Sequence, residues 1–102
     1  MAEKIAIEVL DAFPCYTELK APKGVGKEEQ LELFYRMRLI REFDTTVKDL
    51  WMENKIYGLA HSYVAAEAIA TGTCFALKPD DAITSTHRGH GHVIAKGGDV
   101  KK

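Results

Sequence analysis

The sequence predicts a helix-rich α/β fold with at least one strand of the parallel type. Apolar residues recur at helical spacing over residues 27–54, and small residues dominate a second helical segment at 65–77. A short run rich in β-branched side chains follows at 82–86, and a glycine-punctuated loop at 87–92 comes directly after it. In open α/β sheets the carboxyl end of such a strand is where ligands bind.

Composition and charge limit the classes of protein to which the chain can belong. Its 102 residues suit one domain at most, and its 46% of apolar residues argues against wholesale disorder. A formal net charge of -1 lacks the electrostatic footprint of a general nucleic-acid binder. Because Glu67 interrupts the best apolar segment, Val64–Leu77, the sequence predicts no membrane span.

Two further observations favour a cytoplasmic location. The initial Met-Ala-Glu-Lys lacks the basic and apolar regions of a secretory signal. Cys15 and Cys74 are too few for a disulfide scaffold. We therefore expect a reducing, cytoplasmic setting.

Residues 1–26 are interpreted as an N-terminal arm and connector. Ile5, Ile7 and Val9 alternate as in a short strand, although the same stretch is also compatible with a helix. Lys20–Gly26 has the proline and glycine content of an exposed connector.

The helix at 27–54 is the most strongly predicted element. Glu28 and Glu29 in its first turn and Lys55 at its end suit the helix dipole. Three pairs of opposite charge lie four residues apart and can meet on the helix surface: Glu32 with Arg36, Arg38 with Glu42, and Asp44 with Lys48.

The two halves of this helix differ in their apolar pattern. Apolar residues of the C-terminal half fall in one stripe, namely Leu39, Ile40, Phe43, Val47, Leu50 and Trp51. Those of the N-terminal half scatter around the circumference, namely Leu31, Leu33, Phe34, Tyr35 and Met37. A helix that is apolar on several sides is usually buried on several sides, so we expect an interface with another chain.

Small side chains make up most of the second helix, at 65–77, which indicates a crowded interior. Glu67 within it is compatible with three roles: a buried ion-pair member, a site residue or a solvent-facing position. Cys74 is expected to be a small buried apolar side chain. Lys78-Pro79-Asp80-Asp81 is predicted to form a turn.

The loop at 87–92 has the residue types of an anion site. Gly89 and Gly91 allow backbone N–H groups to approach a ligand, and Arg88 supplies a forked cation suited to phosphate oxygens. An incipient helix from Val93 would add a positive N-terminal dipole. Two alternatives stay open: a metal site and a polar surface loop whose histidines merely titrate. The metal site would use three histidines: His87, His90 and His92.

His61 and Tyr63 form a smaller group before the second helix. On the sequence alone, a structural role is favoured over a role in a site: a packing tyrosine and a partly buried, hydrogen-bonded histidine.

Three segments of the chain resemble one protein family. They are Leu33–Phe43 (LFYRMRLIREF), Gly58–Tyr63 (GLAHSY) and Ser85–Gly97 (STHRGHGHVIAKG). They are similar to the amino-terminal part of the α subunit of thiamine diphosphate-dependent dehydrogenases, which include acetoin dehydrogenase and the dehydrogenase components of 2-oxo acid complexes. The resemblance covers about Glu28 to Val100, and Thr-His-Arg-Gly-His-Gly-His is closest to the acetoin dehydrogenase branch.

The resemblance implies a fold, a cofactor and roles for particular residues. Residues 27–102 would be part of a thiamine diphosphate-binding domain. Thr86, His87 and Arg88 would bind the cofactor, with His87 and Arg88 at its diphosphate, and His61 would be the catalytic histidine facing the reacting end. Such enzymes cleave acetoin or a 2-oxo acid, work with a β subunit, and pass the acyl group to a lipoyl-bearing acyltransferase.

Two departures from the family pattern qualify the resemblance. Ala65 and Ala66 stand where the family has a glycine followed by glutamine or glutamate. The Gly-Asp-Gly motif and distant asparagine that bind magnesium are absent, since Gly97-Gly98-Asp99 lacks the preceding strand and the trailing asparagine. We therefore expect part of a longer subunit that lacks the magnesium ligands and is inactive alone. The alternative is a self-associating, non-catalytic interaction module that uses the long helix.

Overall fold

The computed structural model describes residues 23–101, which contain three helices. Helix α1 spans Lys27–Met52, α2 spans Glu67–Phe75 and α3 spans His90–Ala95. Each helix packs against the other two. The predictions for residues 1–22, the greater part of the N-terminal arm, lie outside the described residues. No helix within 23–101 is long and apolar enough to cross a membrane.

Helix α1 confirms the predicted long helix, and both of its ends have a local cause. At the start, the Glu29 carboxylate accepts a hydrogen bond from the Gly26 N–H at 2.7 Å. At the end, Asn54 adopts a left-handed conformation with φ 58°, which stops the helix at Met52 rather than at the predicted residue 54. The N–H groups of Asn54 and Lys55 then bond back to the last turn of the helix in the Schellman pattern.

Two of the three predicted charge pairs form along α1. Glu32 bonds to Arg36 at 2.7 Å, and Arg38 pairs with Glu42. The third prediction is wrong, because within residues 23–101 Asp44 pairs with groups outside α1 and not with Lys48. Its carboxylate is buried, with 6% of the residue exposed.

Helix α2 spans two residues fewer at each end than the predicted 65–77, and the conformation of Ala65 explains its later start. Ala65 has φ 75°, a left-handed conformation that cannot belong to a right-handed helix, so α2 begins at Glu67. This is the position where the resemblance implies a glycine, the residue that adopts positive φ without steric cost. After the helix ends at Phe75, the Asp81 carboxylate accepts the Lys78 N–H at 2.8 Å, which confirms the predicted turn.

The predicted loop at 87–92 is a turn followed by a helix. Residues 87–89 form the turn and α3 starts at His90, three residues before the predicted start at Val93. The Gly89 carbonyl accepts the N–H groups of His92 and Val93, so the helical hydrogen bonds begin inside the glycine-rich segment. Gly91 is thus a helical residue and not a loop residue.

Residues 82–86, predicted as a strand, lie outside the helices and pair with no second strand within residues 23–101. A strand depends on hydrogen bonds to a neighbouring strand. The α/β fold and the thiamine diphosphate-binding fold therefore stay predictions.

The core lies where the three helices meet. Its buried apolar residues are Ile40, Tyr63, Ala70, Cys74, Ile94 and Ala95. Leu39 and Phe43 of the predicted stripe pack against this core, and Cys74 is buried as expected. In contrast, Leu31, Phe34 and Tyr35 in the N-terminal half of α1 remain more than half exposed.

Candidate functional site

A cleft of about 530 Å³ opens beside the C-terminal half of α1. Its other walls come from residues 56–62, which link α1 to α2, and from the start of α3. The lining combines an apolar wall with a few polar groups: Phe43, Asp44, Val47, Lys48, Trp51, Ile56, Leu59, Ala60, His61, Ser62, His87 and His90. Concave apolar clefts with a few convergent polar groups are typical of small-molecule sites.

One wall of the cleft is tied to α1 by a tryptophan. The indole N–H of Trp51 donates to the Gly58 carbonyl at 2.8 Å. Gly58 has φ 102°, a conformation that side chains disfavour, and it lets the chain turn back toward α1. The segment that carries His61 therefore returns alongside the helix and does not extend into solvent.

Two sequence-predicted site residues meet at this cleft. The imidazole rings of His61 and His87 lie edge to face, with centroids 4.6 Å apart, although the residues are 26 positions apart in the chain. Both side chains are exposed and line the cleft. Imidazole nitrogens can donate or accept a hydrogen bond, so the pair can bind an anionic group or a polar group of a ligand.

Thr86 and Arg88, the other two predicted site residues, flank His87 without lining the cleft. The Thr86 hydroxyl faces the Arg88 N–H at 3.5 Å, and both residues are exposed. The Arg88 guanidinium has no hydrogen-bond or ion-pair partner within residues 23–101. It is thus available to an anion that lies against the turn at 87–89.

A buried carboxylate connects the two cleft segments. Asp44 Oδ2 accepts a hydrogen bond from the Ser62 hydroxyl at 2.7 Å. Asp44 Oδ1 accepts the Tyr63 N–H at 2.9 Å and faces Nε2 of His90 at 2.9 Å. Because an ionised carboxylate only accepts hydrogen bonds, Nε2 of His90 carries the proton. The sequence analysis did not identify Asp44 as a site residue. The one indication in the sequence is that its charge lies at the edge of the apolar stripe of α1.

Opposing effects set the pKa values in this network. Burial raises the pKa of Asp44, but the hydrogen bonds from Ser62, Tyr63 and His90 outweigh burial and hold that pKa below its ordinary value of 3.8. Burial also raises the pKa of the Tyr63 phenol above 10.0. Asp44 is therefore ionised and Tyr63 neutral at neutral pH.

The three histidines of the predicted metal alternative have different partners. The ring of His87 contacts that of His61 edge to face, and His90 bonds to Asp44. Nδ1 of His92 lies 3.2 Å from the Ser85 hydroxyl. Within residues 23–101 no group of three or more His, Cys, Asp or Glu side chains is arranged to hold a metal ion. The loop histidines are thus divided between the cleft and the packing of α3.

Glu67 takes the first of its three predicted roles, that of a buried ion-pair member. It is 7% exposed and accepts a hydrogen bond from Nε of Arg41 on α1. That hydrogen bond holds the pKa of Glu67 below its ordinary value of 4.5 in spite of burial. The pair joins α1 to α2 on a groove separate from the cleft that contains His61.

Comparison with known proteins gives consistent matches over most of the chain. The family model for the dehydrogenase E1 component matches residues 35–102. The α subunit of acetoin:2,6-dichlorophenolindophenol oxidoreductase from Bacillus subtilis is 45% identical over 77 residues, which are 76% of this chain and 23% of that protein. The protein of the same name from Cupriavidus necator is 42% identical over 74% of this chain and 22% of its own length.

A pyruvate dehydrogenase E1 component α subunit, from Zymomonas mobilis, is 40% identical over 74% of this chain and 22% of its own length. The chain thus spans less than a quarter of the length of these curated relatives. No solved structure matches it significantly. The matched segment includes His61, His87 and the whole of α2 and α3, and the chain belongs to the dehydrogenase E1 component family.

Proposed function

We propose that the chain is part of the α subunit of a thiamine diphosphate-dependent dehydrogenase of the acetoin type. The complete enzyme would cleave acetoin or a 2-oxo acid and pass the acyl group to a lipoyl-bearing acyltransferase. The observation that carries the proposal is the contact of His61 with His87 in the lining of an apolar cleft, next in sequence to Arg88, whose guanidinium has no partner within residues 23–101. Names of the similar proteins, which specify acetoin or pyruvate, support the same substrate classes.

The side chains present fit the proposed cofactor. A guanidinium, an imidazole and a hydroxyl on consecutive residues, Thr86 to Arg88, form a donor set suited to diphosphate oxygens. The aliphatic and aromatic cleft wall suits the apolar part of a heterocyclic cofactor. When bound, thiamine diphosphate supplies a carbanion that adds to carbonyl groups and allows a carbon–carbon bond to break.

Each candidate residue has a separate role in this proposal. Arg88 offsets the charge of the diphosphate, His87 donates a hydrogen bond to it, and Thr86 adds a hydroxyl from the same turn. His61 faces the reacting end and holds or moves a proton at its imidazole nitrogen. The apolar wall of the cleft, which includes Val47 and Leu59, excludes water from the reacting groups.

Partners complete the proposed enzyme. Magnesium on the diphosphate would be held by residues other than those described, since residues 23–101 group no three metal-ligating side chains. A β subunit would cover part of the α-subunit surface.

The free thiol of Cys74 is compatible with the reducing, cytoplasmic setting that we propose.

Titration of the 102-residue chain with inorganic pyrophosphate tests the proposed diphosphate site. We expect NMR shift changes confined to residues 85–90, and at least a severalfold loss of affinity in Arg88→Gln. Arg38→Gln is the matched control, because Arg38 is an exposed arginine of α1 paired only with Glu42. Shift changes of equal size in both variants, or none in the wild-type chain, would overturn the site.

We propose that the isolated chain is inactive, because residues 23–101 group no three side chains that could hold the magnesium of the cofactor. Acetoin-dependent reduction of 2,6-dichlorophenolindophenol should therefore be undetectable when the chain is supplied with thiamine diphosphate and magnesium. Isothermal titration should show no tight binding of the cofactor with magnesium. Turnover or tight binding by the isolated chain would contradict this prediction.

A second candidate function, a non-catalytic assembly module, is favoured by one observation. Leu31, Phe34 and Tyr35 near the start of α1 are 58%, 59% and 60% exposed, which leaves a continuous apolar surface. Light scattering after size exclusion should give a mass above that of the monomer, and Phe34→Glu should restore the monomer. Tyr57→Glu, at an exposed aromatic residue outside the helices, is the control. A compact monomer at high concentration would exclude this function.

A further inference from the structure

We propose that Asp44 is a positioning residue, which holds His61 and His87 in contact in the lining of the cleft. Asp44 is 6% exposed, so its contribution acts through the groups that it binds and not through direct contact with a ligand. The inference rests on the proposed function for the roles of the two histidines. Their spatial relation, however, can be measured without any ligand.

The segment that carries His61 is bonded to Asp44 at the two residues after the histidine. The two residues that follow this histidine both donate to Asp44, Ser62 through its hydroxyl at 2.7 Å and Tyr63 through its peptide N–H at 2.9 Å. The Ser62 hydroxyl oxygen also accepts the Val64 N–H at 3.2 Å, which closes a local turn. The backbone on the C-terminal side of His61 is therefore fixed to α1 by side-chain hydrogen bonds.

The turn that carries His87 is held at the same carboxylate through His90. His90, three residues later and the first residue of α3, donates from Nε2 to the same Asp44 oxygen that accepts the Tyr63 N–H. Its ring also packs edge to face on Tyr63, with centroids 5.4 Å apart. The start of α3 is thus anchored at the same carboxylate, and the turn at 87–89 leads directly into it.

Both histidines lie outside the helices, so the helical hydrogen-bond pattern does not fix their positions. Residues 53–66 and 76–89 have no regular secondary structure. Loops of this kind take their conformation from side-chain contacts to the rigid elements around them. Asp44 accepts three such hydrogen bonds at two oxygen atoms. Asparagine lacks the charge that faces His90 and keeps one acceptor oxygen, so it bonds Ser62 only if that hydroxyl accepts a hydrogen bond and no longer donates one.

NMR spectroscopy of the 102-residue chain tests the inference directly. In the wild-type chain, the His61 and His87 rings are close enough for a nuclear Overhauser effect between their ring protons. We expect Asp44→Asn to abolish this effect while circular dichroism retains the helical signal of α1. Glu67→Gln is the matched control, because Glu67 is an equally buried acid whose partner, Arg41, lies away from the cleft. It should leave the effect intact.

A second readout links the position of the histidines to binding. Partners that orient metal-ligating histidines change metal affinity by about 10- to 100-fold. Taking the lower end of that range for an anion, we expect Asp44→Asn to weaken pyrophosphate binding by about tenfold and Glu67→Gln to leave it unchanged. If pyrophosphate does not bind the wild-type chain but the inter-ring effect depends on Asp44, the proposed function fails and the positioning role stands.

Three outcomes would overturn the positioning role. The first is an inter-ring effect that persists in folded Asp44→Asn. The second is an effect that Glu67→Gln removes equally. If Asp44→Asn unfolds the chain, Ser62→Ala decides, since it keeps two of the three hydrogen bonds to Asp44 and otherwise loses only the bond from the Val64 N–H. An unchanged inter-ring effect in Ser62→Ala would then reject the inference, and a weakened one would support it.

Discussion

The ring of Tyr63 packs against the backbone of Gly91 so closely that no side chain fits between them. A Cβ atom on Gly91 would lie 2.5 Å from Cε1 of Tyr63 and 2.6 Å from Cζ. Tyr63 is 3% exposed and also contacts the rings of His90 and His92. The glycine that sequence analysis assigned to ligand approach therefore serves the packing of α3 on the tyrosine.

We expect Gly91→Ala to lower the free energy of unfolding by about 1–3 kcal/mol, the usual cost of overpacking a core. Gly72→Ala is the matched control, because Gly72 is also helical and nothing lies within 4 Å of its added Cβ. It should raise stability by about 0.5–1 kcal/mol through helix propensity. Urea denaturation of both variants measures the difference, and effects of the same sign would contradict the close contact with Tyr63.

Ala65→Gly should stabilise the chain. Ala65 has φ 75°, and a left-handed conformation costs a residue with a Cβ roughly 1 kcal/mol that glycine does not incur. Thermal unfolding should therefore show a gain of about 1 kcal/mol. Ala68→Gly, within α2, should lose about as much, because it has ordinary helical geometry. A loss of stability in Ala65→Gly would show that the entry to α2 is not strained.

Glu67→Gln should lower the free energy of unfolding more than Glu42→Gln, which breaks the exposed pair with Arg38. Glu67 is buried and its partner Arg41 is partly exposed, so we expect a loss of about 1 kcal/mol. Glu42→Gln breaks the solvent-exposed pair with Arg38 and should cost less than about 0.5 kcal/mol. Equal losses in chemical denaturation would indicate that burial adds nothing to the Arg41–Glu67 pair.

Stability should also depend on pH through the two buried carboxyls. The pKa values of Asp44 and Glu67 are lower in the folded chain than their ordinary values of 3.8 and 4.5. Each group therefore stabilises the fold above its ordinary value, and that stability is lost as the pH falls through the folded value. The free energy of unfolding should decline below about pH 4.5, with a shallower decline in Glu67→Gln. An unchanged pH profile in that variant would refute the assignment.

Thr71→Val should be neutral or stabilising by up to about 1 kcal/mol. The Thr71 hydroxyl is buried, and within residues 23–101 it finds no hydrogen-bond partner, so the fold bears its desolvation cost without compensation. Valine has nearly the same shape and removes that cost. Thr73→Val, at an exposed position of the same helix, should change stability by less than about 0.5 kcal/mol. A clear loss in Thr71→Val would indicate a hydrogen bond to the hydroxyl.

The sequence by itself determined the features that depend on near neighbours. Helical periodicity and charge spacing predicted α1 almost to its ends, and a glycine-punctuated motif led to the family and to His61 and His87 as site residues. Predictions from near neighbours in the sequence were wrong at two positions. They extended α2 into Ala65, and they paired Asp44 with Lys48 along the helix surface.

Tertiary structure alone decided how the candidate site is held together. The groups bonded to Asp44 lie 18, 19 and 46 residues away along the chain, so no periodicity or motif could identify it as their common partner. The contact of Gly91 with Tyr63 and the pairing of Glu67 with Arg41 have the same character. Helix packing brings these groups together. Each buried charge then needs a hydrogen-bonding partner, and the buried Tyr63 ring leaves no room for a side chain at residue 91.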